Sequence, residues 1–275
     1  MPRLVFLGTG TSCGVPLIGC KCEVCISHDK RDNRLRTSAL YRADDGRNIL
    51  IDCGPDFRQQ MLRYGEMSAG RSARGKENRG EKGLSSLEPI DAVLLTHEHY
   101  DHVGGLDDLR PFTYLKDVDV YASPLCADHL KMRMPYCFAE NKYPGVPNIC
   151  LHAVKKGDVI SVGRTSVWAI EVMHGHMPIL AYRFGNMAYI TDMSQITDEE
   201  KLKLRGLKVL VVNALRHKPH HSHQSLSEAL KLVEELRPER AYLVHMSHEI
   251  GLHARVECLL PQNVHVAYDG LEISW

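Results

Sequence analysis

Apolar positions in this chain gather into short aliphatic runs, each closed by glycine or a polar residue. The runs begin with RLVFLGTG near the start, NILIDCG over Asn48–Gly54 and IDAVLLT over Ile90–Thr96. They continue as DVDVYAS, SVWAIEVM, LAYRFG, MAYITD, KVLVVNA, RAYLVHM and VHVAYDG. Runs this short, rich in β-branched residues and bounded by turn formers, predict buried strands. Helical periodicity separates them. In SHQSLSEALKLVEELRPER, residues Leu226, Ala229, Leu230, Val233 and Leu236 make one apolar face, with Glu and Lys opposite, and Pro238 stops the helix. DEEKLKLRGL reads as a shorter amphipathic helix capped by Thr197 or Asp198. Strands alternating with helices predict an α/β fold.

Five polar residues close these strands: Asp52, His97, His174, Asp192 and His245. Sites in α/β proteins favour strand ends. One stretch breaks the pattern. Gly65–Pro89 is almost without apolar residues and rich in Gly, Ser, Arg and Lys, which predicts an exposed, flexible insertion within one domain spanning 1–275. Its basic residues could touch RNA, but no aromatic residues interleave with them, so a solvated loop is the stronger reading.

The remaining composition narrows the function classes. With 275 residues the chain can bury a sizeable core, and 44% hydrophobic content is ordinary for a globular protein. Lys plus Arg balances Asp plus Glu, 34 against 34, so nothing draws the whole molecule to nucleic acid or an anionic membrane. No apolar run is long enough for a membrane span, and the apolar start is too short for a secretory signal. Cysteines number nine, an odd count, and three fall within six residues. That distribution fits metal-bound or free thiols in a reducing cytoplasm.

The densest chemistry lies in LLTHEHYDHVGGL, Leu94–Leu106. His97 and His99 are two apart and share a side in extended backbone, while Asp101 and His102 follow a tight turn. Imidazole and carboxylate are the usual ligands of zinc-like ions. Four of them here over-fill one tetrahedral ion and suit two adjacent ions. EVMHGHMP adds His174 and His176, YITDMS adds Asp192, and YLVHMSH adds His245 and His248. Separately, GCKCEVC places Cys20, Cys22 and Cys25 as three thiolates able to fold around one soft ion. His248 is the candidate fourth ligand, since it lies three residues after His245 and lets one loop serve both sites. The other cysteines read as ordinary buried or isolated thiols. Asp52 reads equally as a support for a ligand histidine and as a turn carboxylate.

The series HxHxDH, later His, strand-end Asp and last His resembles the metallo-β-lactamase superfamily over nearly the whole chain. The resemblance implies a four-layer αββα sandwich with a dinuclear site at one edge. By position, His97, His99 and His174 would hold one ion, Asp101, His102 and His245 the second, and Asp192 would bridge them. CxCxxC with a late HxxH is similar to the phosphoribosyl 1,2-cyclic phosphate phosphodiesterases of the carbon–phosphorus lyase pathway. That subgroup implies two divalent cations (Zn or Mn) in the active site and one structural Zn on Cys20, Cys22, Cys25 and His248. It implies a metal-dependent hydrolase that cleaves a small phosphodiester, a cyclic phosphate or a nucleotide diester, with a metal-bridging hydroxide. Asp101 and His223 would be catalytic. His223 is chosen over His217, His220 and His221 because it is nearest the helix start, where an anion can meet free backbone N–H groups. Cytoplasmic location, no membrane and a homodimeric tendency complete the expectation. The alternatives are a ribonuclease Z-like endonuclease acting on transfer RNA 3′ ends and a zinc-stabilised binding protein without turnover.

Overall fold

The computed structural model describes residues 1–72 and 88–275. The aliphatic runs become strands of two seven-stranded sheets. The first contains β1 (Arg3–Gly8), β2 (Ser38–Arg42), β3 (Asn48–Ile51), β4 (Ala92–Leu94), β5 (Val118–Ala122), β6 (Ile149–Ala153) and β14 (Glu272–Ser274), in the order β14-β1-β2-β3-β4-β5-β6. The second contains β7 (Val159–Val162), β8 (Thr165–His174), β9 (Met177–Phe184), β10 (Met187–Tyr189), β11 (Val209–Asn213), β12 (Arg240–Val244) and β13 (Val264–Val266), in the order β13-β12-β11-β10-β9-β8-β7. In each sheet the early strands pair antiparallel and β3 to β6, or β10 to β13, pair parallel.

Residue alternation builds the layers. On β1, Leu4 and Phe6 face the second sheet and pack in a shared core with Leu180, Tyr182 and Val211. Val5 and Leu7 face the other way, against Phe57, Phe112 and Leu130. Those three belong to α1 (Phe57–Ser72), α3 (Arg110–Thr113) and α4 (Pro124–Arg133), which cover the first sheet together with α2 (Tyr100–Val103) and α5 (Pro135–Phe138). On the far side, α6 (Asp198–Leu202), α7 (Leu226–Leu236) and α8 (His253–Glu257) cover the second sheet. The four layers are those of the αββα sandwich. Burial on both faces explains why the strands read as continuous apolar runs. Each such Val, Leu or Ile stabilises the fold by about 1.5–3 kcal/mol.

Thr197 caps α6, accepting from the Glu200 N–H. Ser225 and Glu228 form a reciprocal capping box at the start of α7. The buried face of α7 differs slightly from expectation. Leu232 is buried on it, while Leu230 is only half-buried at its margin. The first residues of the stretch expected as an insertion, Gly65–Ser72, are helical. Helix α1 runs through Gly65 to Ser72, and the stretch 73–87 lies outside the described residues. No helix among the described residues is long and apolar enough to cross a membrane.

Candidate metal centre

Both sheets direct the ends of parallel strands to one edge of the sandwich, and the polar strand-end residues meet there. Asp52 follows β3, Asp192 lies three residues past β10, and His245 follows β12. All three have left-handed backbone, with φ of 59°, 55° and 56°. Few non-glycine residues adopt this conformation, and those that do concentrate where function requires it. The turn ends each strand abruptly and swings the side chain into the edge. Asn213, at the end of β11, clamps the turn after Asp192. Its Oδ1 accepts from the Met193 N–H and its Nδ2 donates to the Met193 carbonyl, both at 2.9 Å.

His97 lies just past β4, His99 precedes α2, Asp101 and His102 lie in α2, and His174 ends β8. Helix α2 sits directly on the turn after β3. A Cβ on Gly54 would lie 2.0 Å from the Asp101 carbonyl, and one on Gly105 would lie 2.0 Å from the Gly54 carbonyl. Only two glycines allow that approach.

The side chains gather as three overlapping groups whose ligand-type atoms lie within 4.8 Å of one another. They are His97, His99 and His174; then Asp101, His102, Asp192 and His245; then His174, Asp192 and His223. Asp192 and His174 thus tie the groups into one cluster. His245 Nε2 lies 3.0 Å from Asp192 Oδ1 and 3.6 Å from Asp101 Oδ2. His102 Nε2 lies 3.1 Å from Asp101 Oδ2 and 3.3 Å from Asp192 Oδ2.

Hydrogen bonds behind the cluster fix which nitrogen of each ring faces inward. The His102 Nδ1–H donates to Asp52 Oδ2 at 2.7 Å. Asp52 also accepts from the Thr96 N–H at 2.8 Å and from the Thr96 hydroxyl at 2.9 Å. That hydroxyl stands 3.0 Å from His97 Nδ1, so with its own proton on Asp52 it accepts from the His97 Nδ1–H. The His174 Nδ1–H donates to the carbonyls of Asp192 and Ser222, at 2.8 and 2.9 Å. In all three rings Nδ1 is held from behind and Nε2 is turned inward, with His97 Nε2 2.9 Å from His99 Nδ1, the arrangement that suits metal ligands.

Charge in the cluster is unbalanced without a cation. Burial alone would raise the Asp192 carboxyl, but His245 and His102 hold it well below its ordinary value. Asp101 is likewise lowered against the effect of burial, chiefly by His102. Burial and the neighbouring His102 push His97 well below the usual histidine range. Burial opposes charge on His102, yet Asp192, Asp101 and Asp52 raise it well above that range. With its Nδ1 proton on Asp52, His102 directs a second nitrogen at two carboxylates. That Nε2, and both nitrogens of His245, are buried without a hydrogen-bond partner. Buried polar atoms are ordinarily paired. Divalent cations between the Nε2 lone pairs of His102 and His245 and the carboxylates would satisfy both of those nitrogens, so the donor set fits the metals that the fold implies.

A second group stands apart. The ligand atoms of Cys20, Cys22, Cys25 and His248 also lie within 4.8 Å of one another. His248 Nδ1 is 3.4 Å from Cys20 Sγ and 3.2 Å from Cys22 Sγ. It brings the Cys22 thiol down to about 6, while burial pushes Cys25 up to about 11. Three sulfurs and one imidazole nitrogen can hold one soft, tetrahedral ion.

Of the crowded histidines before α7, His223 faces the cluster, with Nε2 3.0 Å from Asp192 Oδ1. His217 instead donates to the Ile250 carbonyl. His220 stands behind His223, and His221 is exposed beside it. His176 is exposed. Thr96, Asn213 and Ser222 were not singled out by the sequence, and His220 was weighed only as a rival to His223. Of the first three, Thr96, adjoining His97, carried a local signal.

Comparison with known proteins places this geometry in context. The family described as Beta-lactamase superfamily domain matches residues 47–246. The crystal structure of a diphosphatase from the PhnP family superposes with a TM-score of 0.85 at 37% identity, covering 99% of this chain and 96% of that one. Zn-bound PqqB from Methylobacterium extorquens gives a TM-score of 0.75 at 20% identity over 99% and 100% of the two chains, a likeness of fold. The octanoyltransferase of Porphyromonas gingivalis is 42% identical over 98% of this chain, which spans about half (51%) of that protein's length.

Proposed function

The chain belongs to the β-lactamase superfamily, and to its PhnP family, and on that footing we propose that it is a metal-dependent hydrolase of small phosphodiesters. The observation that carries this reading is the single cluster of five inward histidines and two carboxylates, with His223 beside it. His97, His99 and His174 would hold one divalent cation, Asp101, His102 and His245 a second, and Asp192 would reach both. When bound, such a pair supplies water of lowered pKa and neutralises charge building on phosphoryl oxygens. The chain's own residues do the rest. Asp52 and Thr96 hold the rings of His97 and His102 in place. His223 would give a proton to the departing alkoxide; burial brings its ring down to about 4 against the pull of Asp192, so the charge of a bound phosphate has to raise it for that work. Cys20, Cys22, Cys25 and His248 would hold a structural zinc that pins the N-terminal loop to the loop after β12.

A small substrate is favoured over a nucleic acid because the net charge is zero and no basic, aromatic-lined surface stands out in the sequence. The diphosphatase relative favours a second reading, hydrolysis of a diphosphate bond, which needs the same neutralisation of phosphoryl charge. Half of the octanoyltransferase lies outside the match, so its activity is not carried onto this chain.

The test is turnover of three probes with added Mn or Zn: bis(p-nitrophenyl) phosphate, a 2′,3′-cyclic nucleotide and a dinucleoside diphosphate. Hydrolysis of the first two is expected, and His97→Ala or Asp192→Ala should abolish it with the far-UV spectrum unchanged. Turnover of the diphosphate alone would favour the second reading. Wild-type rates retained in both variants would refute the site.

A further inference from the structure

His245 is held differently from its neighbours His97, His102 and His174. Behind each of those rings an oxygen stands at hydrogen-bond distance from Nδ1. Behind His245 there is none, and both of its ring nitrogens are buried without a hydrogen-bond partner. A cation on Nε2 would leave Nδ1 as it is. The backbone must therefore do for His245 what an oxygen does for the others. That backbone is left-handed, φ 56°, a conformation that persists in a non-glycine residue only where its surroundings over-determine it. Two residues, Met246 and Ser247, separate it from His248. Met246 is fully buried, its N–H donates to the Thr9 carbonyl and its carbonyl accepts from the Thr11 N–H, both at 3.0 Å. Ser247 donates to the Leu215 carbonyl from its N–H at 2.9 Å and from its hydroxyl at 3.0 Å. His248 then faces Cys20 and Cys22. Thr9 and Thr11 open the loop after β1 that runs on to those cysteines, so one loop grips the segment at Met246 and again at His248.

We propose that His248 is a positioning residue for His245, so that the sulfur site, when filled, sets the affinity of the active site for its second cation. This rests on the two-cation reading above and goes beyond it, since that reading gives the sulfur site a structural part only. With His248 fixed against Cys20, Cys22 and Cys25, the two-residue link leaves no slack for His245 to turn away from Asp101 and Asp192. With His248 released, the link is held at Met246 and Ser247 alone, and the strained turn at His245 can relax. The coupling is reciprocal, so filling the second position should in turn tighten the sulfur site.

The test is cobalt titration of the metal-depleted protein against a competing chelator, in the wild type, His248→Ala, His245→Ala and the double variant. Cobalt on thiolates absorbs separately in the near ultraviolet, so the sulfur site is followed apart from the active site. His248→Ala, or His248→Asn where alanine prevents folding, should weaken the second active-site cation about tenfold or more and the first less than about twofold. In the His245→Ala background the same change should add little, because it acts through the missing ring. His248→Cys, which completes a site of four thiolates, should restore most of the loss. An unchanged second affinity, equal weakening of both cations, additive losses in the double variant, or no rescue by His248→Cys would overturn the proposal. None of these measurements needs a substrate. A wild type that binds both cations yet hydrolyses none of the three probes would remove the hydrolase reading and leave the coupling to stand or fall on its own titrations. A wild type that binds no second cation would end both.

Discussion

At the scale of single residues, Asp52 has the widest reach. It is fully buried and touches no candidate ligand atom directed inward, yet it orients two rings. His102 donates to it directly, and His97 reaches it through the Thr96 hydroxyl. Burial raises its carboxyl, opposed by His102 and by the Thr96 donors. Partners behind a metal ligand commonly account for 10–100-fold in affinity. Asp52→Asn keeps the shape but puts an amide where one acceptor oxygen was. It should therefore weaken binding of the active-site cations about 10–100-fold, with little change in the unfolding midpoint of the metal-free protein. Competition against a chelator measures this, and unchanged affinity would show that Asp52 is only a turn carboxylate. The sequence left those two roles evenly balanced. The hydrogen bonds to the Thr96 hydroxyl, 44 residues away, and to the His102 ring, 50 residues away, decide between them.

At the scale of elements, the site depends on how closely α2 lies against the end of β3. Gly105 has an ordinary backbone, φ −100°, so an alanine there meets no conformational penalty, but it would meet the Gly54 carbonyl at 2.0 Å and Phe57 Cβ at 2.9 Å. Neither partner can yield by rotating a side chain. Gly105→Ala should push α2 away from β3, costing about 1–3 kcal/mol in denaturant unfolding and lowering the content of active-site metal. A variant of full stability and full metal content would mean that the contact is slack. The VGGL following the histidines signalled close packing, and the strand-end placement of Asp52, Asp192 and His245 was also legible. Other elements were not. Strand β2 reads RTSALYRADD, with too few apolar residues between charges to stand out, yet it is a central strand whose neighbours supply the burial. Strand β6, Ile149–Ala153, was not among the runs either, and its place comes from pairing with β5. Helix α1 carries so weak an apolar face that its continuation through Gly65 looked like loop.

At the scale of the molecule, the two sheets repeat one plan, antiparallel strands leading into parallel ones, with a left-handed aspartate closing each half after β3 and β10. No sequence repeat betrays it, because layering needs only apolar positions of the right period and not particular residues. Closure between the ends of the chain rests on a buried polar knot. Arg34 donates to Thr9 Oγ1 and the Ala267 carbonyl, and Thr9 donates to Asp269, which also accepts from the Leu35 N–H. Burial outweighs those donors and pushes the Asp269 carboxyl up to about 6. An unfolded aspartate titrates near about 3.9. Between those values the folded chain keeps a proton that the unfolded chain has released, so stability falls as pH rises. The contribution is present below about pH 4 and is lost by about pH 6, a difference of roughly 3 kcal/mol. Asp269→Asn cannot titrate. The stability of the wild type relative to this variant should therefore decline as pH rises from about 4 to about 6 and then level off. Urea unfolding of both proteins at stepped pH gives that difference directly, free of the carboxylates and histidines at the metal site because they are common to both. A flat difference would mean that Asp269 is charged throughout and that Arg34 fully offsets its burial. A difference rising with pH would place its carboxyl below the unfolded value and reverse the sign of the effect.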